Sequence, residues 1–219
     1  MAEVTRVSVE IGGKEIAFET GKMAKQASGA VVVTVGETVL LSTATAGNLR
    51  DVDFLPLTVD IEERMYAAGK IPGSFFKREG RSGEKGTLTA RMIDRPLRPL
   101  FPKGWRRETQ LVGIPLSIDH INPYDILAMN GASAALMISD IPFPMPVGAV
   151  RIGKIEGNFV VNPSEADLAE GKSDLDLVVA GTEDAILMVE AGANEISVPP
   201  ISTDTRVTSD MWSSSPRPK

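Results

Sequence analysis

The sequence predicts an α+β fold, a single domain with a mixed β-sheet and helices packed on it. Segments rich in β-branched residues fill the first quarter and the last third of the chain, and two helical segments lie between them. Turn dipeptides separate neighbouring strands. At 219 residues and 42% hydrophobic composition, the chain is long enough to bury a sizeable core.

The first quarter is predicted to form two hairpins and a further strand. RVSVEI and KEIAF flank Gly12-Gly13, and glycines at these positions allow the positive φ of a tight turn. The segment GAVVVTVGETVLLSTATAG places two apolar strands around Gly36-Glu37. FLPLTVDIEER, residues 54–64, is predicted as a strand of a third layer.

A helix is predicted over residues 84–95, with Ser82 as its cap and with Leu88 and Met92 one turn apart on an apolar stripe. Pro96 is predicted to end this helix. The following residues, up to Pro102, are predicted to be extended because each proline restricts itself and its predecessor.

The remaining elements are a strand, a buried helix and two hairpins. TQLVGIPLSID reads as the strand, and PYDILAMNGASAALMISD as a helix that is apolar nearly all round. The hairpins turn at residues 156–158 and 183–184. Residues 197–219 are rich in Ser, Thr and Pro, and they are predicted to form a disordered tail after a domain that spans residues 1–196.

Composition excludes several kinds of chemistry. The chain has no cysteine, which rules out disulfides, thiolate nucleophiles and Cys-based zinc sites. Its single histidine, His120, has no second histidine with which to bind a metal. No apolar run approaches the roughly 18 residues of a membrane span, and the start has no signal-peptide pattern. We therefore expect a cytoplasmic protein without a membrane partner.

Positive charge is concentrated in one window of an otherwise acidic chain. Residues 77–107 hold ten basic and three acidic residues, whereas the whole chain carries a net charge of −6. The basic residues are Lys77, Arg78, Arg81, Lys85, Arg91, Arg95, Arg98, Lys103, Arg106 and Arg107. Such a local excess is typical of a polyanion-binding surface, and a solvated face with internal salt bridges is the alternative.

The start of this window combines aromatic and basic side chains. Phe75 and Phe76 precede Lys77, Arg78 and Arg81 in a glycine-rich loop. Aromatic faces stack on bases and cations bind phosphates, a combination that suits single-stranded nucleic acid. The alternative is a buried phenylalanine pair beneath a charged loop.

Three further arginines follow on the predicted helix and beyond it. Arg91 and Arg95 are four residues apart and share a helix face, and Arg98 follows. Guanidinium groups at this spacing could contact successive phosphates. Alternatively, Asp94 pairs with Arg91 or Arg98 and makes the cluster structural.

The segment IPGSFFKREGRSGEKGTLTARMIDRPLRPLFP closely resembles the polynucleotide phosphorylase family, in the first of its two ribonuclease PH-like domains. The resemblance covers about residues 4–196. It continues through ETGKMAKQASGAVVVTVGETVLLSTATA, LPLTVDIEERMYAAGKIPGS, NPYDILAMNGASAALMISDIPF and LDLVVAGTEDAILMVEAGA.

The resemblance implies a single ribonuclease PH-like domain from a phosphorolytic 3′-to-5′ exoribonuclease that degrades single-stranded RNA and uses Mg²⁺. It also implies a homotrimeric ring, with partners in the RNA-degradation machinery. In the family, the loop that corresponds to Phe75, Phe76, Lys77 and Arg78 grips RNA at the mouth of the central channel.

In the family, the catalytic groups lie in the second ribonuclease PH-like domain. There, serines after Asn-Gly bind phosphate, and an aspartate two residues before a lysine serves the metal. This chain has Ala132-Ser133-Ala134 after Asn130-Gly131, and Asp176 followed by Leu177-Val178. Asp174 and Asp176 alone would make a weak magnesium site. The resemblance therefore predicts no catalytic residue and no bound metal in this chain.

Two interpretations of the chain remain open. In the first, it is the N-terminal part of the family enzyme, and it lacks the helix that follows MVEAGANEI in family members and the catalytic domain. In the second, it is a free-standing RNA-binding or assembly module without chemistry of its own. Coding sequence beyond residue 196 would distinguish the two interpretations.

Overall fold

The computed structural model describes residues 4–73, 79–80, 82–169, 172–194 and 196. Ten strands and three α-helices in this part of the chain form two sheets around a central helix. The first group of elements is β1 (Thr5–Ile11), β2 (Lys14–Thr20), β3 (Gly29–Val35), β4 (Thr38–Leu49), β5 (Leu57–Ile61), α1 (Glu84–Leu97) and β6 (Arg107–Ser117). The second group is α2 (Tyr124–Met137), β7 (Gly148–Ile155), β8 (Asn158–Val161), α3 (Glu165–Leu168), β9 (Ser173–Gly181) and β10 (Ile186–Ala193).

The larger sheet is mixed and has the order β1-β2-β3-β4-β6-β5. Its hairpins turn where the sequence predicts: Gly12 and Gly13 have φ of 60° and 73°, as a tight two-residue turn requires. β5 runs parallel to β6 because α1 lies between them in the chain, and a parallel pair needs such a crossover. The strand predicted within residues 54–64 is confirmed as β5, but its placement in a third layer is wrong, since β5 is an edge of this sheet.

The smaller sheet is antiparallel and has the order β10-β9-β7-β8. α2 contacts β3 and β4 of the larger sheet and β7 of the smaller one. Its predicted burial is confirmed, since nearly all of its residues are buried. A helix that is apolar on every side is stable only when it is covered on every side. The predicted α+β class is confirmed, although the strands divide into two sheets.

The α1 region differs from its prediction at both ends. The N-cap is Gly83, and the Ser82 hydroxyl instead donates to the carbonyl oxygen of Ile61 at 2.7 Å. Pro96 lies inside the helix, and Arg98–Leu100 continue it as a 3-10 turn, so residues 95–102 are not uniformly extended. A proline one residue from the helix end removes a single hydrogen bond, and the burial of Pro96 and Leu97 offsets that cost.

A hydrogen-bonded turn sets the start of α2. Asp119 Oδ1 accepts the backbone N–H groups of Ile121 at 2.7 Å and Asn122 at 2.8 Å, and Oδ2 accepts the Asn122 side-chain amide at 2.7 Å. Burial raises the pKa of Asp119, but these hydrogen bonds outweigh burial and hold the pKa well below its ordinary value. His120, in the same turn, is exposed with φ of 58°.

Candidate RNA-binding surface

The predicted RNA-binding residues divide between the described and undescribed parts of the chain. Phe75, Phe76, Lys77, Arg78 and Arg81 lie outside the described residues. Arg91 and Arg95 lie on α1, and Arg98 begins the 3-10 turn that extends it. The structure thus gives the surroundings of three of the predicted residues and of the segments that flank the other five.

The two ends of the loop that carries Phe75 and Phe76 are held at one end of β5. Before the loop, the N–H of Lys70 donates to the carbonyl oxygen of Met65 at 2.9 Å. After it, the Arg64 guanidinium donates to the carbonyl oxygen of Glu79 at 2.9 Å, and the Glu79 carboxylate accepts the N–H of Met65. The loop therefore leaves and returns at the segment that follows β5.

Glu63 connects this segment to both main helices. The Tyr124 hydroxyl at the start of α2 donates to Glu63 Oε1 at 2.6 Å. A Cβ added at Gly86 in the first turn of α1 would lie 3.0 Å from Glu63 Oε2, so a glycine allows the close approach. Burial and the bond to Glu63 raise the pKa of Tyr124 far above its ordinary value.

Lys85 adds a second connection at the same place. Its ammonium lies 4.9 Å from the centre of the Tyr124 ring and 2.9 Å from Glu165 Oε1. A cation over an aromatic face is attracted by the ring quadrupole. The basic window thus contributes one of its charges to the contact between α1 and α2.

The three predicted RNA-binding arginines within the described residues, Arg91, Arg95 and Arg98, differ in their contacts. Arg91 is exposed and makes no salt bridge within the described part of the chain. One turn further along α1, Arg95 Nη1 lies 2.6 Å from Glu190 Oε2 on β10. These two side chains leave the helix on one face, as their spacing predicts.

Arg98 is fixed by more groups than Arg95. Its Nη2 lies 2.7 Å from Asp94 Oδ1, and its Nε also donates to that carboxylate. Its Nη1 and Nη2 donate to the carbonyl oxygens of Leu55 at 3.2 Å and Leu57 at 3.0 Å. Asp94 therefore pairs with Arg98, which is one of the structural alternatives that the sequence leaves open.

The Asn-Gly segment of α2 uses its polar groups inside the core. Asn130 exchanges two hydrogen bonds with the backbone of Ala149, at 3.0 and 2.8 Å, and Ser133 Oγ accepts the N–H of Val147 at 2.8 Å. Both polar side chains are buried. They attach α2 to the start of the smaller sheet.

Gly131 brings α2 against the larger sheet. A Cβ at this position would lie 2.3 Å from Ser42 Oγ and 2.9 Å from a methyl group of Val33. No real side chain tolerates the shorter distance without a shift of its neighbours. The glycine after Asn130 therefore serves helix-to-sheet packing in this chain.

Asp176 faces an arginine that the sequence analysis did not single out. Arg151 on β7 places Nη2 3.1 Å from Asp125 Oδ2 and Nε 3.0 Å from Asp176 Oδ1. The Nε–H does not point along the second contact as a hydrogen bond would, so we assign that contact to charge attraction. Asp125 is buried, whereas the Asp176 side chain is 48% exposed.

These carboxylates do not fit a magnesium site. The Arg151 guanidinium already contacts both Asp125 and Asp176, and the part of the chain that the structure describes contains no cluster of three acidic or histidine side chains able to hold a metal ion. Mg²⁺ takes several oxygen ligands in near-octahedral geometry.

No helix among the described residues is both long and apolar enough to cross a membrane.

Sequence reasoning missed Arg151, Glu63 and Glu190. Arg151 carried a signal, because it is a charge within the apolar strand segment GAVRIGKI, and such a residue usually has a partner when buried. Glu63 and Glu190 carried none, since their partners are distant in sequence and exposed acidic residues are common.

Two sheets around one central helix form an α+β fold, and the comparison with known families agrees with this class of fold. The profile of the 3′ exoribonuclease family, domain 1, matches residues 12–142, and the profile of domain 2 matches residues 145–201. The chain belongs to the 3′ exoribonuclease family. The two matched segments meet between α2 and β7, where the chain passes to the smaller sheet.

Curated relatives bear a more particular name, polyribonucleotide nucleotidyltransferase. The relative from Desulforamulus reducens is 60% identical over 189 residues, which are 86% of this chain and 25% of the relative. For the relative from Roseiflexus sp. strain RS-1, the identity is 58% over 196 residues, or 89% of this chain and 26% of the relative. The relative from Thermus thermophilus is 58% identical over 192 residues, which are 87% of this chain and 27% of the relative. The resemblance drawn from the motifs is confirmed, and the chain spans about a quarter of the length of these relatives.

A solved structure gives the same fold at low identity. Rice (Oryza sativa) Rrp46 superposes with a TM-score of 0.63 over 89% of this chain and 82% of its own, at 12% identity. This likeness supports the architecture of two sheets and a central helix.

Proposed function

We propose that this chain is the first ribonuclease PH-like part of a polyribonucleotide nucleotidyltransferase, and that it contributes the grip on single-stranded RNA. The whole enzyme would degrade RNA from the 3′ end by phosphorolysis and release nucleoside diphosphates. Family membership and 54–60% identity to the named relatives support this proposal. The observation that carries the RNA-binding role is the pair of exposed arginines, Arg91 and Arg95, one turn apart on the helix that follows the aromatic and basic loop.

The RNA path that we propose begins at the loop and continues along α1. Phe75 and Phe76 would stack on bases, while Lys77, Arg78 and Arg81 would contact phosphates. Arg91 and Arg95 would contact phosphates further along the strand. Arg98 stays in our predicted set, but its bonds to Asp94 and two carbonyl oxygens favour a role in positioning the end of α1.

Catalysis, in this proposal, belongs to a second ribonuclease PH-like domain. In this chain the hydroxyl of Ser133 and the amide of Asn130 are occupied by backbone groups, and Arg151 is paired with Asp176. The buried groups of Asn130 and Ser133 therefore hold α2 in place in this chain and form no phosphate cradle. Mg²⁺ would act in the whole enzyme, which we expect to be a cytoplasmic homotrimeric ring with partners among RNA-degrading proteins.

The first experiment measures binding of the chain to a labelled single-stranded oligoribonucleotide at increasing salt. Each phosphate contact on a single strand adds about 0.7 to the slope of log affinity against log salt. We expect Arg91→Ala to lower both the affinity and this slope, with an unchanged melting temperature because the side chain is exposed. A lysine at position 91 is the matched control, since it retains the charge. Equal slopes for the wild type and Arg91→Ala would refute the RNA-binding role.

A second experiment tests the absence of catalysis. Purified chain is incubated with RNA, inorganic phosphate and Mg²⁺, and released nucleoside diphosphates are measured. We expect none above the level of a heat-denatured sample. Phosphate-dependent release that grows with the amount of chain would place a complete catalytic site in this sequence and contradict the proposal.

A further inference from the structure

Glu190 lies where it competes with RNA for one arginine of the proposed surface. Its carboxylate reaches from β10 of the smaller sheet to Arg95 on α1, with 2.6 Å between Oε2 and Nη1. Arg91, four residues earlier on the same helix, makes no salt bridge with any residue that the structure describes. The two arginines therefore start from different states before RNA arrives.

A carboxylate and a phosphate use a guanidinium in the same way. Both present anionic oxygens that accept charge-assisted N–H bonds, and arginine binds either of them through its fork of donors. Glu190 thus occupies one donor nitrogen of Arg95, Nη1, and offsets the positive charge that would attract a phosphate. A phosphate oxygen that takes the same position at Nη1 has to replace the Glu190 carboxylate oxygen.

The pair is exchangeable because it is exposed. The Arg95 side chain is 56% exposed and that of Glu190 is 53% exposed, so water and salt screen the attraction. A phosphate can approach both partners without opening the core. Arg98 makes the opposite case, since its donors are shared among a carboxylate and two carbonyl oxygens.

We propose that Glu190 restrains Arg95 in the absence of RNA and that an RNA phosphate displaces it from Nη1. This inference rests on the proposed function, because it assigns Arg95 a phosphate contact. Glu190 then limits which anions reach Arg95. Weakly bound anions leave the ion pair between Arg95 and Glu190 intact, whereas an RNA strand already bound at the loop and at Arg91 displaces Glu190. Once displaced, the Glu190 carboxylate repels the neighbouring phosphate. Glu190 therefore lowers the affinity for RNA both through its ion pair with Arg95 and after that pair has opened.

The test is a double-mutant cycle on the full chain with a labelled single-stranded oligoadenylate. Glu190→Gln is expected to tighten binding about two- to five-fold, the range for an exposed ion pair. Arg95→Ala is expected to weaken binding and lower the salt slope by about 0.7. In the Arg95→Ala background, Glu190→Gln is expected to change affinity by much less, because the arginine it restrains is gone.

The matched control is Glu183→Gln. Glu183 is exposed in the turn between β9 and β10, so this variant makes the same charge change in the same hairpin away from Arg95. It is expected to leave affinity unchanged. Thermal unfolding of all variants shows whether an altered fold contributes.

The outcomes separate the restraint from the function beneath it. If Arg95→Ala weakens binding but Glu190→Gln behaves like Glu183→Gln, the restraint is refuted and the RNA-binding role stands. If Glu190→Gln tightens binding equally with and without Arg95, the effect is general charge repulsion, and the restraint is again refuted. If Arg95→Ala has no effect, Arg95 is not an RNA contact, and both proposals fail for this residue.

Discussion

Replacement of Arg151 by alanine is expected to cost about 3 kcal/mol of unfolding free energy. Removal of one partner from a buried ion pair costs roughly 3–5 kcal/mol, because the other charge is left buried without a partner. Here Arg151 serves two carboxylates, and they differ: the Asp125 side chain is 8% exposed and that of Asp176 is 48% exposed. Only Asp125 is stranded, so the lower end of the range applies.

The assay is thermal and urea unfolding of the wild type and matched variants. For a chain of this size, 1 kcal/mol shifts the melting temperature by about 2–4 °C, so a fall of roughly 6–12 °C is expected for Arg151→Ala. Asp176→Asn is the control and is expected to cost at most about 1 kcal/mol, as for an exposed pair. The double variant Arg151→Ala with Asp125→Asn is expected to be more stable than Arg151→Ala alone, because it removes the stranded charge.

Two results would refute this reasoning. Equal losses for Arg151→Ala and Asp176→Asn would mean that burial of Asp125 does not set the cost. A double variant no more stable than Arg151→Ala would mean that lost packing of the arginine stem, not a stranded carboxylate, explains the loss.

Three further predictions concern stability. Asp119→Ala is expected to cost about 1–3 kcal/mol of unfolding free energy by leaving backbone N–H groups without acceptors. Since the pKa of Asp119 is lowered in the folded state, its stabilisation is present above the unfolded pKa of about 3.9 and is lost as pH falls below that value. Urea unfolding at several pH values would detect this loss in the wild type and not in the variant. Tyr124→Phe is expected to cost about 1–3 kcal/mol of unfolding free energy by leaving Glu63 without its hydrogen-bond donor. Since the pKa of Tyr124 is raised in the folded state, the wild type loses stability as pH rises above about 10. A variant with the same loss at alkaline pH would show that Tyr124 does not cause it. Gly131→Ala is expected to cost about 1–3 kcal/mol because its Cβ meets Ser42, and an unchanged melting temperature would show that α2 can move away from the sheet.

The hairpins and the buried helix could be predicted because their signals are local. Positive-φ glycines at Gly12 and Gly13 specify a turn whatever surrounds them, and the apolar residues of α2 predict burial by composition alone. The end of α1 could not, since Pro96 ends a helix by local rules. Burial of Leu97 in the tertiary structure outweighs that local preference.

The placement of the arginines on α1 could be predicted from the sequence, but not all of their ion pairs could. Charge clustering and helical spacing indicated that Arg91 and Arg95 share an exposed face. The sequence also named Asp94 as a candidate partner of Arg98, because the two lie one turn apart. It could not name Glu190, which lies 95 residues from Arg95 and meets it only through the packing of α1 beside β10.

Arg98 has a consequence for the behaviour of the protein at high concentration. β5 is an edge strand, and an edge offers unpaired carbonyl oxygens to a strand of another molecule. The guanidinium of Arg98 occupies the carbonyl oxygens of Leu55 and Leu57, where β5 begins, so an incoming strand does not find these acceptors free. We therefore expect the side chain that fixes the end of α1 also to hinder the addition of a foreign strand where β5 begins.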